Sequence, residues 1–302
     1  MPLSTPPIRW PVEAIWQAVS PQLPGFTVEV LPEIDSTNTE LLRRFKSGRP
    51  EPTLLVAEQQ TAGRGRLGRQ WHSPRAGSLT FSLGLALQPL DWSGLSLAVG
   101  ISLADSLDPA LAANRNLGLH IGLKWPNDLW LCSPEGERKL AGILVETASW
   151  EGQRYVVIGV GINISAAALA AVADASSGTS ADNRSSPNAS PMPPAALQEL
   201  IHAIDAPAAL LRVVAPLVQT VQAFAQFGFA PFQARFARRD VLAGRSVTVL
   251  DGKNQLEGSA HGVGVHGALL VHTADGMKEI TSSEVSVRPA AMRRPMKSLP
   301  PC

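Results

Sequence analysis

Apolar and polar positions along this chain change period several times, and each change marks an element. Thr53-Leu54-Leu55-Val56-Ala57 has the form of a short buried strand near 53–59, and Ser78-Leu79-Thr80-Phe81-Ser82-Leu83 alternates at period two, predicting a strand over 78–87. Leu41, Leu42 and Phe45 share one helical face. Ahead of them Thr37-Asn38-Thr39-Glu40 can form a capping box, and behind them Gly48 can end the helix. Leu95 to Leu107 reads as an apolar helix stopped by Pro109, and Val12 to Val19 as a shorter one. Further strands are predicted at Leu119 to Trp125, Leu140 to Ala148 and Tyr155 to Ile164, the second entered through Gly142. Helical patterning resumes from Ala196 to Phe227, interrupted at Pro207 and Pro216, with a last helix near Pro231 to Ala237. Strands and helices mixed in this way predict an α/β class with a mixed sheet.

The same patterning divides the chain. Residues 166–195 are almost entirely Ala, Ser, Asn, Asp, Gly and Pro, too little apolar surface to offset the entropy of ordering, which predicts a disordered insertion. Past Asp240 short β segments are separated by Asp251-Gly252, His266-Gly267 and Asp275-Gly276, the turn signals of a small β-barrel. The expected organisation is a proline-rich extension over 1–26, a main domain over 27–240 carrying the insertion, a barrel over 241–289 and a loose tail over 290–302.

Bulk properties narrow the function classes. In 302 residues the formal charge is only +1, with a pI near 7.9, whereas a nucleic-acid-binding domain is usually strongly basic. Two cysteines, Cys132 and Cys302, exclude a disulfide framework and fit a reducing compartment. The N-terminus lacks the basic and apolar regions of a signal peptide, and no uncharged apolar run has the length of a membrane span. The expectation is a cytoplasmic protein with no membrane partner.

Candidate chemistry concentrates in a few segments. Gly63-Arg64-Gly65-Arg66-Leu67-Gly68-Arg69 places three arginines and three glycines within seven residues. Glycines let backbone amides approach a ligand closely, and guanidinium groups supply forked donors for phosphate or carboxylate, so the segment reads as a mobile anion-gripping loop. It also contains a literal Gly-x-Gly-x-x-Gly, but a strand pattern rather than a helix follows, which argues against a dinucleotide turn. Lys124-Trp125-Pro126-Asn127-Asp128 ends a strand in a lysine and a carboxylate suited to phosphate and magnesium, with Pro126 turning the chain off the sheet. Lys139 heads the apolar run Leu140-Ala141-Gly142-Ile143-Leu144-Val145-Glu146. Gly159-Val160-Gly161-Ile162-Asn163 offers two side-chain-free positions on one strand face, against which a flat ligand can lie. Each segment alone has a plainer reading: a turn at Pro126, a solvated lysine at 139, close packing at the glycines, a helix cap at Ser36 or Thr37.

Taken in order, Asp35-Ser36-Thr37-Asn38, the arginine-glycine loop, the two lysine motifs and Gly159–Asn163 resemble the biotin–protein ligases, strongly over 28–165 and in layout over 196–288. The resemblance implies a catalytic domain of the biotin/lipoate ligase type followed by a small SH3-like β-barrel. It implies that ATP activates biotin as biotinyl-5'-AMP, and that the biotinyl group then passes to one lysine of a biotin carboxyl carrier protein domain. ATP and biotin would be substrates and Mg2+ the activating ion. Ser36, Thr37, Asn38, Gln60, Gly63, Arg64, Gly65, Arg66, Lys139 and Gly142 are the biotin-binding residues it implies. Arg66, Arg69, Trp71, Lys124, Asn127, Asp128 and Asn163 would bind the nucleotide, Asp128 the metal, and Arg66, Lys124 and Lys139 would be catalytic.

Bifunctional members of that family carry an N-terminal DNA-binding domain, for which residues 1–26 leave no room, so no specific DNA partner is expected. Homodimerisation is left open. A lipoate-type ligase is the nearest alternative, opposed by the polar Ser36, Thr37 and Gln60; a non-catalytic biotin sensor is the other, opposed by Lys124, Asp128 and Lys139. Deleting Ala167 to Pro194 and bridging the ends with a short linker should leave ligase activity largely intact. Activity and solubility measurements check this, and a variant that fails to fold would show that the segment packs.

Overall fold

The computed structural model describes residues 7–72, 74–109, 118–170, 193–251, 254–281 and 285–289. Most of the expected insertion and the expected C-terminal tail lie outside them.

Seven strands form the main sheet: β1 (Thr27–Leu31), β2 (Thr53–Ala57), β3 (Ser78–Ala86), β4 (His120–Lys124), β5 (Asp128–Ser133), β6 (Gly136–Trp150) and β7 (Gln153–Asn163). Their order is β1-β2-β3-β7-β6-β5-β4, with β1 and β2 parallel and every other pair antiparallel. The apolar run of β2 is buried at every position, as expected of an inner strand. On β3 the two faces differ chemically. Leu79, Phe81, Leu83 and Leu85 enter the main core, while Ser78, Thr80 and Ser82 are buried on the opposite side. Those hydroxyls, at alternate positions of one strand, mark the face that carries the site.

Helices α1 (Val12–Val19), α3 (Leu95–Leu107) and α4 (Ala206–Phe227) enclose the main core, α3 lying against β4, β5, β6 and α4. α3 is apolar almost all round because protein surrounds it. α4 is long and apolar enough to cross a membrane by length and composition alone. Its Leu210, Val213, Val214, Leu217, Val218, Val221 and Phe224 are nevertheless buried in this core. Of the two expected interruptions, the one at Pro207 occurs, since the 3-10 turn Leu197–Glu199 is separate from α4, while the one at Pro216 does not. Pro207 sits in its first turn, where no backbone donor is needed, and Pro216 is carried within a helix whose two halves both pack. On the other face α2 (Thr37–Lys46) covers a smaller cluster of Leu41, Phe45, Leu55, Tyr155 and Val157. Its cap is Ser36, whose side chain accepts from the Thr39 amide, one residue earlier than the expected capping box. Glu40 pairs with Arg43 and Arg44 instead.

The largest departure from the sequence reading lies at Pro126. The chain does not leave the sheet there. A turn with a cis Trp125–Pro126 bond reverses it, and β5 returns antiparallel to β4, pairing Asp128 with Lys124. The hairpin sets both motif ends side by side.

After α4 and the short α5 (Gln233–Ala237), five strands form an antiparallel sheet: β8 (Ser246–Asp251), β9 (Asn254–Val263), β10 (Leu269–Thr273), β11 (Gly276–Ile280) and β12 (Val285–Pro289). Their order is β11-β10-β9-β8-β12. Several contacts join this sheet to the first. The segment leading into it runs beside β4, the Leu123 amide donating to Arg239 O at 2.7 Å and Val241 to Leu123 O at 3.0 Å. The Trp125 indole donates to Gly267 O at 3.0 Å, and there Gly267 meets Gly94 so closely that an added Cβ would lie 2.7 Å from the Gly94 Cα.

Arg239 holds that junction. Its side chain is 4% exposed and donates to Asp105 Oδ1, Asp108 Oδ2, Ile121 O and Asp108 O at 2.7 to 3.3 Å. Asp108, equally buried, also accepts from the Ile121 amide at 3.0 Å. Replacing Arg239 with Met should destabilise the protein by about 3 to 5 kcal/mol, because it leaves the Asp108 charge buried without its partner. Urea unfolding checks this; a loss below about 1 kcal/mol would show that the network is not what joins the two sheets.

Next to it, burial raises the Asp240 carboxyl to about 6 from an ordinary 3.8, against the Leu242 amide and Arg245, which favour the charged form. The folded state thus holds this proton over a range where the unfolded chain has released it. That proton's contribution is complete below about pH 4 and is lost as pH rises through about 6, on the order of 2 to 3 kcal/mol in total. Asp240→Asn should therefore melt progressively above the parent from pH 4 to pH 7, and a pH-independent difference in Tm would contradict the assignment.

Candidate active site

Three neighbouring strands build the floor. In the register of β3, β7 and β6, Thr80 faces Gly161 and Gly161 faces Gly142; one step on, Ser82 faces Gly159 and Gly159 faces Leu144. The middle strand of this surface thus carries no side chain in either row. Its glycines are already covered. An added Cβ on Gly159 would lie 2.2 Å from Asn38 Oδ1, and one on Gly161 2.3 Å from the Trp71 indole. The flat groups that these glycines admit are thus the protein's own amide and indole, rather than the ligand expected from the sequence. Above this floor is a cavity of about 150 Å³.

One end of the cavity is polar and uncharged. Ser36, Thr37 and Asn38 reach it from the start of α2, and Gln60 from the segment after β2, which runs beside Ile34. Thr37 donates to Gln60 Oε1 from its amide at 2.8 Å and from its hydroxyl at 3.1 Å. The Ser82 hydroxyl, fully buried, lies 2.7 Å from Thr37 Oγ1 and 2.6 Å from Asn38 Oδ1.

The other end is crowded with positive charge. Arg66, Arg69, Lys124 and Lys139 line this end, and Asp128 is the one carboxylate among the described lining residues of the cavity. The Lys139 ammonium lies 2.7 Å from Asp128 Oδ1 and 5.8 Å from the centre of the Trp71 ring. Lys124 stands over Trp130 at 4.7 Å. Arg66 donates to Asn127 Oδ1 at 3.4 Å, and Asn127 donates onward to Ile143 O at 2.8 Å, so the β4–β5 turn holds the loop arginine. Burial pushes the Arg66 guanidinium below its ordinary range; Asp128 opposes that shift and the charge of Arg69 adds to it. An anion at this end would relieve both penalties. The Trp71 indole N–H is buried there with no hydrogen-bond partner among the described residues, a donor available to a ligand.

The arginine-glycine loop is a folded hairpin in miniature. Arg64 bridges Gln70, the Gly65 amide donates to Arg69 O at 2.7 Å and the Trp71 amide to Gly63 O at 2.9 Å, around a tight turn over Arg66–Gly68. Gly63 lies beneath Trp71, where an added Cβ would be 2.3 Å from its carbonyl oxygen.

Ser36, Thr37, Asn38, Gln60, Arg64, Gly65, Arg66, Arg69, Trp71, Lys124, Asn127, Asp128, Lys139 and Gly142 thus surround one cavity. Gly63 and Asn163 do not line it. Asn163 is buried at the end of β7 and donates to Lys139 O at 3.4 Å, behind the lysine. Sequence reasoning assigned no role to Ser82, Glu146 or Val287. The alternation of hydroxyls on β3 was a signal for Ser82. Val287, from β12, reaches the cavity across the junction of the two sheets, which no local pattern reveals.

Comparison with known proteins agrees with this geometry. Residues 30–163 match the Biotin/lipoate A/B protein ligase family and residues 243–288 the Biotin protein ligase C terminal domain. The chain is 36% identical over 276 residues to the bifunctional ligase/repressor BirA of Escherichia coli, covering 89% of this chain and 76% of that protein. It is 32% identical over 261 residues to a biotin--[acetyl-CoA-carboxylase] ligase of Paracoccus denitrificans, covering 85% and 98%. Among solved structures, the biotin protein ligase of Aquifex aeolicus in complex with biotin and ATP superposes with a TM-score of 0.64 at 28% identity, covering 87% of this chain and 99% of that one. On these grounds the chain belongs to the biotin protein ligase family.

Proposed function

We propose that this one cavity carries both half-reactions of a biotin–protein ligase. Biotin carboxylate attacks the α-phosphorus of ATP and pyrophosphate leaves; a carrier-domain lysine then attacks the acyl carbon of biotinyl-5'-AMP and AMP leaves. The observation that carries the reading is the division of the cavity into an uncharged polar end and a cationic end. Thr37, Ser36 and Gln60 match a ureido ring, which offers two N–H donors and one carbonyl. Arg66, Arg69, Lys124 and Lys139 match the carboxylate and phosphates, two anions that repel each other until fixed charges offset the repulsion. An apolar acyl chain without a ureido group, as in a lipoate-type ligase, would leave the first end unmatched. A sensor that only held biotin would not use the second.

In this assignment Arg66 meets the carboxylate and the α-phosphate, anchored by Asn127. Lys139 serves the reacting carboxylate and Lys124 the phosphates, while Arg69 and Trp71 hold the nucleotide. Asn163 acts through its bond to the Lys139 carbonyl. Asp128 fits the modest protein contribution that magnesium needs, one carboxylate with the remaining ligands from phosphate and water, and the bound ion would neutralise phosphate charge. The acceptor would be a folded biotin carboxyl carrier protein domain whose lysine, deprotonated, reaches the mixed anhydride at the cavity mouth.

Biotin-dependent exchange of labelled pyrophosphate into ATP tests the first half-reaction; exchange that ignores biotin, or its absence, would overturn the reading. Lys139→Ala should lower that exchange by at least about a hundredfold, if its charge is needed at the reacting carboxylate. Arg66→Gly should remain folded but release biotinyl-5'-AMP about tenfold faster or more, since it removes a charge-assisted contact worth roughly 1.5 to 3 kcal/mol. Release at the parent rate would remove Arg66 from that role.

A further inference from the structure

Glu146 has no part in the roles assigned above, yet it is where the loop and the cavity floor meet. Period two on β6 puts it on the face shared by Gly142 and Leu144. Both of its carboxylate oxygens are engaged. Oε1 accepts from the Arg64 guanidinium at 2.7 Å, and Oε2 from Asn38 Nδ2 at 2.9 Å. Arg64 belongs to the loop, with its side chain 48% exposed, and its other terminal nitrogen reaches Thr39 Oγ1 at 3.2 Å. Asn38 belongs to the floor and is buried. Its amide lies on Gly159, its Nδ2 also donates to Leu144 O at 3.2 Å, and its Oδ1 meets Ser82, which adjoins Thr37 and through it Gln60. A continuous polar line therefore runs from the loop surface to the uncharged end of the cavity: Arg64, Glu146, Asn38, Ser82, Thr37, Gln60.

Exposed ion pairs usually contribute little, because solvent screens them and two flexible side chains must be fixed. Glu146 differs in that its second oxygen is already fixed by a buried amide, so the first is presented to Arg64 in one orientation. The chemistry of the pair is also selective. Both partners of Glu146 are donors, so only a carboxylate can accept from both; a glutamine in its place would turn an N–H toward one of them.

We propose that Glu146 is a latch for the arginine loop, a positioning residue that fastens Arg64 to the floor of the biotin end and so slows escape of the activated intermediate. The proposal rests on reading the cavity as the biotin and ATP site.

The test compares the parent with Glu146→Gln, Arg64→Ala and the double variant, using two readouts and thermal unfolding as the folding control. In ligand-free protein, subtilisin should cut the loop about fivefold to tenfold faster in either single variant. With biotin and ATP, release of biotinyl-5'-AMP should rise about tenfold in each single variant and no further in the double, since both substitutions break one contact. Parent-like cleavage and release in Glu146→Gln, or single-variant effects that multiply in the double, would overturn the latch. Should Glu146→Gln lower the unfolding temperature, Arg64→Ala carries the ligand-free cleavage comparison, in which its place in the cavity lining has no part. If the parent makes no biotinyl-5'-AMP, the functional reading fails, and the ligand-free cleavage still decides whether Glu146 fastens the loop.

Discussion

Unbalanced positive charge at one end of the cavity is the constraint around which this structure is arranged. Arg66, Arg69, Lys124 and Lys139 share the single carboxylate of Asp128 within the described lining, and Lys139 already occupies it at 2.7 Å. Like charges held this close repel, and burial adds to the cost at Arg66. A ligand with several negative charges would compensate such a cluster. The reaction of the family supplies one, because a carboxylate and a triphosphate must be brought together before either can react.

The frame that holds the cluster is correspondingly rigid. Lys124 and Asp128 stand opposite each other on a hairpin, Lys139 enters on the next strand, and Arg66 is tied to the turn of the same hairpin through Asn127. Behind the hairpin, buried Arg239 binds the end of α3, β4 and the segment that leads to the second sheet. The second sheet in turn touches the motif directly, through the Trp125 to Gly267 hydrogen bond and through Val287 in the cavity wall. Its placement against the first sheet is therefore part of the site's geometry.

How much of this was legible in the sequence depended on how local the cause was. The helices Val12–Val19 and Leu95–Leu107 were readable to the residue because apolar spacing and terminating residues act within a few positions. The arginine-glycine loop and both lysine motifs stood out because those residue types are poor core material. β5 was missed because proline was read as an exit from the sheet, whereas Pro126 lies in a reversal whose two arms pair. Pro216 was read as a break because local propensity takes no account of packing along both halves of α4. The glycine face was recognised but not its occupants, since Asn38 and Trp71 arrive from elements distant in sequence. The contacts of Glu146 and Ser82 were not readable for the same reason, although alternating hydroxyls on β3 marked Ser82. Their partners lie 44 to 108 positions away.

The central claim is that the two ends of one cavity together hold a neutral polar ring joined to a nucleotide anion. It is tested most directly by incubating the protein with biotin and ATP labelled in the adenine ring, then passing it rapidly through a desalting column. The account predicts close to one labelled adenylate retained per chain, only when biotin is present, and discharged on adding a biotin carrier domain. Label that elutes with the small molecules, or that is retained equally without biotin, would contradict it.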